Sequence, residues 1–143
     1  MAALTKERPG RVEKITRAKV KLAANVKVFK GAAAALDTGA ASATRGHYLP
    51  ATAAQGLLAR GRFRDTADNT GGANGARYAE VDFLRPIDVI WWDNDTASPV
   101  TEADRGSECF FTDDHTVSSD NTGRSAAGRV FDLEGNFVIV EVI

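Results

Sequence analysis

The chain has 143 residues, 43% hydrophobic and 26% charged, so it has enough apolar content for one modest core and too much for wholesale disorder. No apolar run approaches the roughly 20 residues of a membrane helix, and the opening Met1-Ala2-Ala3-Leu4-Thr5-Lys6 lacks the apolar centre of a signal peptide. The net charge of −1 hides an asymmetry: residues 1–21 carry seven basic and two acidic groups, the remaining 122 carry eleven basic and seventeen acidic.

In chain order, residues 1–18 have no sustained apolar period, and Pro9-Gly10 interrupts any early element. They are expected to form an extended basic arm, and residues 19–143 a separate β-rich body. A basic arm on an acidic body is suited to an acidic partner. Lys19–Lys30 reads as one or two short strands with a bend at Ala23-Ala24-Asn25. Residues 31–59 are rich in Ala, Gly, Ser and Thr. Glycines at 31, 39, 46 and 56 and Pro50 break them too often for a normal helix, so short strands and loops are expected.

From Gly56 the pattern is β. Alternation puts Arg60, Arg62 and Arg64 on one strand face, opposite Ala59, Gly61 and Phe63. Asp68–Gly75 is a turn, and Arg77–Leu84 alternates Ala79, Val81 and Phe83 with Glu80 and Asp82. An arginine strand followed by an acidic strand predicts cross-strand ion pairs, with a partner surface as the second use of those arginines. Ile87–Trp92 is the next strand. Ile87, Val89 and Trp91 form an apolar trio expected to face the core. Asp88, Ile90 and Trp92 mix a charge with large apolar groups, and Ile90 and Trp92 are assigned to a contact with another subunit or a shell.

Thr101–Gly106 reads as one helical turn with Thr101 as N-cap. Glu108–Thr112 is a strand, and 113–125 a polar connection. Residues 128–133 and 137–143 form the clearest hairpin, with Val138, Val140 and Val142 on one face. These elements predict an all-β fold: a small β-barrel or β-sandwich with one short helical turn and an extended N-terminal arm.

No group of residues assembles a catalytic or metal site by spacing. Cys109 is the single cysteine, placed beside Phe110-Phe111 as a small core residue, and His47 and His115 are 68 positions apart. Asp113-Asp114-His115 lies in a polar connection with no third ligand at a telling distance. Asp37-Thr38-Gly39 looks like the active-site loop of aspartic proteases, in which two aspartates share a proton. A chain of this length would have to dimerise to supply the second aspartate, so a dimeric aspartic protease is the alternative function. Asp-Thr-Gly is also an ordinary turn. A nucleic-acid-binding barrel is a third possibility. The arm has no aromatic residue for base stacking and the body is acidic, so no direct nucleic-acid contact is expected.

The order of segments carries a resemblance. Leu4-Thr5-Lys6-Glu7-Arg8 opens the chain, and Val26-Lys27-Val28-Phe29-Lys30-Gly31 runs through four alanines into Leu36-Asp37. A 68–76 turn precedes a charged strand. Val100–Gly106, Phe111–Val117 and Arg124–Val130 then lead into a β-rich tail. This resembles, over nearly the whole chain, the small capsid cement or head decoration proteins of tailed bacteriophages and prophages. The long basic N-terminal stretch and the Ile90-Trp91-Trp92 strand depart from that pattern. The resemblance implies a non-enzymatic protein without cofactor, metal or membrane. It would be made in the host bacterial cytoplasm and sit on the outer surface of the virion capsid, over junctions between major capsid subunits. Such proteins are commonly homotrimers. On that reading, charge makes Lys6, Arg8, Arg11, Lys14 and Arg17 the expected capsid-binding arm, and strand alternation makes Ile90 and Trp92, with Arg60, Arg62 and Arg64, the expected subunit or shell interface.

Overall fold

The computed structural model describes residues 16–86 and 88–142. Among them the chain is all-β with a single 3-10 turn, as expected. The first half supplies β1 (Arg17–Lys21), β2 (Lys27–Val28), β3 (Ala33–Asp37), β4 (Tyr48–Pro50), β5 (Leu57–Phe63), β6 (Ala67–Asp68) and β7 (Tyr78–Phe83). The second half supplies β8 (Val89–Asn94), β9 (Glu108–Phe111), β10 (Thr116–Ser118), β11 (Ala126–Glu134) and β12 (Phe137–Glu141), with the helical turn Glu102–Asp104 between β8 and β9.

Strands β1-β7-β5-β3-β4 form an antiparallel sheet, β10-β8-β12-β11-β9 close into a small barrel, and β2-β6 make a two-stranded ribbon. Only β10 and β8 are parallel within the barrel. Closure leaves the barrel without a free sheet edge.

Two cores result. Trp92, Val100, Cys109, Phe111, Val117, Val130, Val138 and Val140 fill the barrel, and Val20, Leu22, Val28, Phe63, Ala79 and Val81 lie under the sheet. Strand β3 serves both: Ala33 and Ala35 join the barrel core, and Ala34, with the preceding Ala32, joins the sheet core. That explains the alanine run. A strand buried on both faces shows no polar alternation, and small side chains let two cores close on it. An added Val there would overpack by about 1–3 kcal/mol.

Bulges bend the long strands. The β3–β5 register shifts around Arg60, and the β9–β11 register shifts around Ala127. The residues that follow, Gly61 and Gly128, have φ of +156° and +152°. A Cβ at Gly61 would collide with the Asp82 carbonyl, and one at Gly128 with the Glu141 carbonyl. Glycine is required at both by backbone angle and by close approach.

Several expectations are corrected. Lys6, Arg8, Arg11 and Lys14 lie outside the described residues, but Arg17 and Ala18 are not arm: they pair with Asp82 and Val81 in edge strand β1. The polar 113–125 connection contains β10, which closes the barrel. The tryptophan faces are exchanged. Trp92 is buried in the barrel, edge-on to Phe111 at 6.0 Å, and Ile90 packs against the same core. Trp91 is 47% exposed. The charge that weighed against the Trp92 face never enters the barrel, because Asp88 precedes β8 and accepts the Arg85 N–H at 2.8 Å. Asn94, two residues beyond Trp92, then bonds both the N–H and the carbonyl of buried Val100, which fixes the inward register.

Candidate interaction faces

The outer wall of the barrel is a register-matched grid. Across β8, β12 and β11, Val89 faces Glu141 and Arg129, Trp91 faces Ile139 and Asp132, and Asp93 faces Phe137 and Glu134. Directly opposed residues project to the same side. The buried neighbours Trp92, Val130, Val138 and Val140 show that this side is outward. Trp91 and Phe137 touch with ring centroids 5.8 Å apart, and both remain more than two-fifths exposed. Four carboxylates and one guanidinium surround them. Asp132 is held by Arg105 at 2.6 Å. The Leu133 N–H, and then Arg105, keep its pKa below the ordinary aspartate value. Trp91 also divides two open grooves. One, about 580 Å³, includes Arg62, Arg85 and Asp88. The other, about 790 Å³, includes Asp95, Pro99, Glu134 and Phe137.

The outer face of the sheet has the opposite sign. Arg17, Lys19 and Lys21 project from edge strand β1, opposite Asp82, Glu80 and Tyr78 of β7. Arg62 and Arg64 flank the acidic strand on its other side. Asp82 receives Arg17 at 3.4 Å, Arg64 at 3.2 Å and Arg62 at 3.7 Å, and Glu80 receives Arg64 at 3.7 Å. The expected cross-strand ion pairs are present. Arg60 departs from the trio: the bulge carries its guanidinium over the Phe83 ring, 5.3 Å from the centroid. Five cations around two carboxylates leave this face positive.

The charge partition runs along the whole fold. Residues 16–86 carry eleven basic and five acidic groups, a net +6; residues 88–142 carry three basic and twelve acidic, a net −9. The sheet half is basic and the barrel half acidic. A division drawn at residue 21 in the sequence missed this, because its boundary is the passage from β7 to β8.

The other candidate groups are held by local bonds. The Asp37 carboxylate accepts the Gly39 N–H at 2.9 Å and the hydroxyls of Ser42 and Thr44. Burial pushes its pKa up, but those donors and the charge of Arg45 outweigh it, so it lies below the ordinary value. The loop is a turn tied to its own aspartate. His115 Nδ1 lies 2.9 Å from Asp114 and 3.1 Å from Asp113, and Nε2 lies 3.8 Å from Asp93. The hydrogen bond to Asp114, with the neighbouring carboxylates, raises its pKa. The ligand atoms of Asp113, Asp114 and His115 lie within 4.8 Å of one another, a spacing that could hold a metal ion, although exposed acidic groups commonly sit this close without one. Cys109 is buried in the barrel, and burial pushes its thiol up to about 12.

No helix among the described residues is long and apolar enough to cross a membrane. Comparison of the chain with protein-family models, with curated proteins and with solved structures finds no match.

Proposed function

We propose that this chain is a capsid decoration, or cement, protein of a tailed bacteriophage or prophage. It binds the outer surface of an icosahedral head at junctions between major capsid subunits, acts without catalysis, and reinforces the shell. The observation that carries this reading is the pair of outward faces on one body, one acidic and aromatic, one basic. Exposed aromatic groups rimmed by charge mark protein contacts, where tryptophan contributes most. A protein that covers a shell needs contacts in more than one direction, and two faces of opposite sign supply them. The resemblance in segment order supports the same reading. In it, Lys6, Arg8, Arg11 and Lys14 reach the shell while the body faces organise neighbouring copies, as a homotrimer, on the capsid surface.

The test uses heads from the phage or induced prophage that encodes the chain, stripped of it and then titrated with purified protein. Saturable co-sedimentation at a fixed ratio to the major capsid protein, with greater resistance of the heads to heating, is expected. Protein that stays in the supernatant at every concentration overturns the proposal.

A further inference from the structure

The partner of the barrel face is legible from charge. We infer that the acidic aromatic face of one copy, built on β8, β12 and β11, docks on the basic face of a second copy, built on β1, β7 and β5. This deepens the shell-binding reading by naming the occupant of that face, and it is tested with no shell present.

Three observations converge on a second copy. The two grids are opposite in sign, with Asp93, Asp132, Glu134 and Glu141 on one against Arg17, Lys19, Lys21, Arg62 and Arg64 on the other. Their chemistry also matches beyond charge. Trp91 and Phe137 offer ring faces, which attract guanidinium groups, and Arg17 and Arg62 keep side chains more than half exposed beside Asp82. Third, the +6 and −9 halves give the molecule a long-range polarity that aligns an approaching copy before contact. Arg62, Asp88 and Trp91 line one groove, so the two faces adjoin on the same molecule and are both open to a neighbour.

The experiment is analytical ultracentrifugation of the full chain over a concentration series at low and high salt. Self-association at low salt, weakened about tenfold or more by 0.5 M salt, is expected, because screening shortens the reach of exposed charges. Trp91→Ala weakens it by a similar factor. The double variants Lys19→Glu/Lys21→Glu and Asp93→Lys/Glu134→Lys each stay monomeric where the native chain associates. Mixed in equal amounts they associate again, since each then offers the other complementary faces. All four positions are exposed, and unchanged melting curves verify that the variants are folded. A native chain that is monomeric throughout the series overturns the inference. So does a mixture that fails to recover association. If reversing Lys6, Arg8, Arg11 and Lys14 abolishes association while Lys19→Glu/Lys21→Glu does not, the occupant is the N-terminal segment and the inference falls. Loss of head binding with self-association intact defeats the shell reading alone.

Discussion

Adjacent tryptophans of opposite orientation give the most direct test of the barrel. Trp92 is 5% exposed, lies among Val100, Val117, Val138 and Val140, and meets Phe111 edge-on. Its truncation to Ala empties a large volume inside a closed wall that has little freedom to collapse. The cost is about 3–5 kcal/mol, the range for buried aromatics replaced by Ala. At roughly 3–4 °C per kcal/mol for a chain of this size, the melting temperature falls by about 9–20 °C. Trp91 is half exposed, and its fixed contact is the tilted ring of Phe137. Trp91→Ala forfeits that pair, about 0.5–1.5 kcal/mol, and only part of the apolar cover that Trp92 would lose. Thermal melts of both variants at matched low concentration measure the difference. Equal losses, or a larger loss in Trp91→Ala, would refute the inward register of Ile90, Trp92 and Asn94, and with it the outward face.

Other perturbations test separate joints. Gly128→Ala forces a side chain into a φ of +152° and against the Glu141 carbonyl, so it should cost about 2–4 kcal/mol in chemical denaturation; a neutral result would remove the β9–β11 bulge. The folded-state pKa of Asp37 is depressed, so its stabilisation is present above the unfolded value near 3.9 and is lost as pH falls through the folded one. Asp37→Ala should therefore destabilise the chain at pH 7 and converge with the native protein in acid melts, and parallel curves at all pH would contradict the turn. The folded-state pKa of His115 is raised, so its stabilisation is present below about 6.5 and is lost as pH rises through the folded value. Its NMR titration should have a midpoint above that of a free histidine and move down in Asp114→Asn; an unshifted midpoint would break the Asp114 contact.

The sequence was most informative where pattern and burial coincide. The β11–β12 hairpin was legible because Val138 and Val140 enter the barrel while Phe137, Ile139 and Glu141 do not. The β5–β7 ion pairs were legible because charge alternates on both strands. Strand β3 was harder to delimit, since alanines buried on both faces have no polar period. Strand β10 is three residues long and gains its place from β8 and β9, which no local pattern announces. The faces of β8 were misassigned because the barrel leaves Val89 and Trp91 outside, so apolar content alone pointed to the wrong side. Trp91 and Phe137, the centre of the barrel face, are 46 positions apart and meet only through β8–β12 pairing. The charge boundary had the same character, because it follows the division between sheet and barrel.

The measurement that bears most directly on the function is reconstitution of stripped heads with the full chain, read by sedimentation and by imaging of the shell surface. The account predicts saturable binding at a constant ratio to the major capsid protein, density confined to the outside of the shell, and a higher temperature of head disruption. Absence of binding at every protein concentration would contradict it. So would acid-dependent peptide cleavage by the chain that disappears in Asp37→Asn.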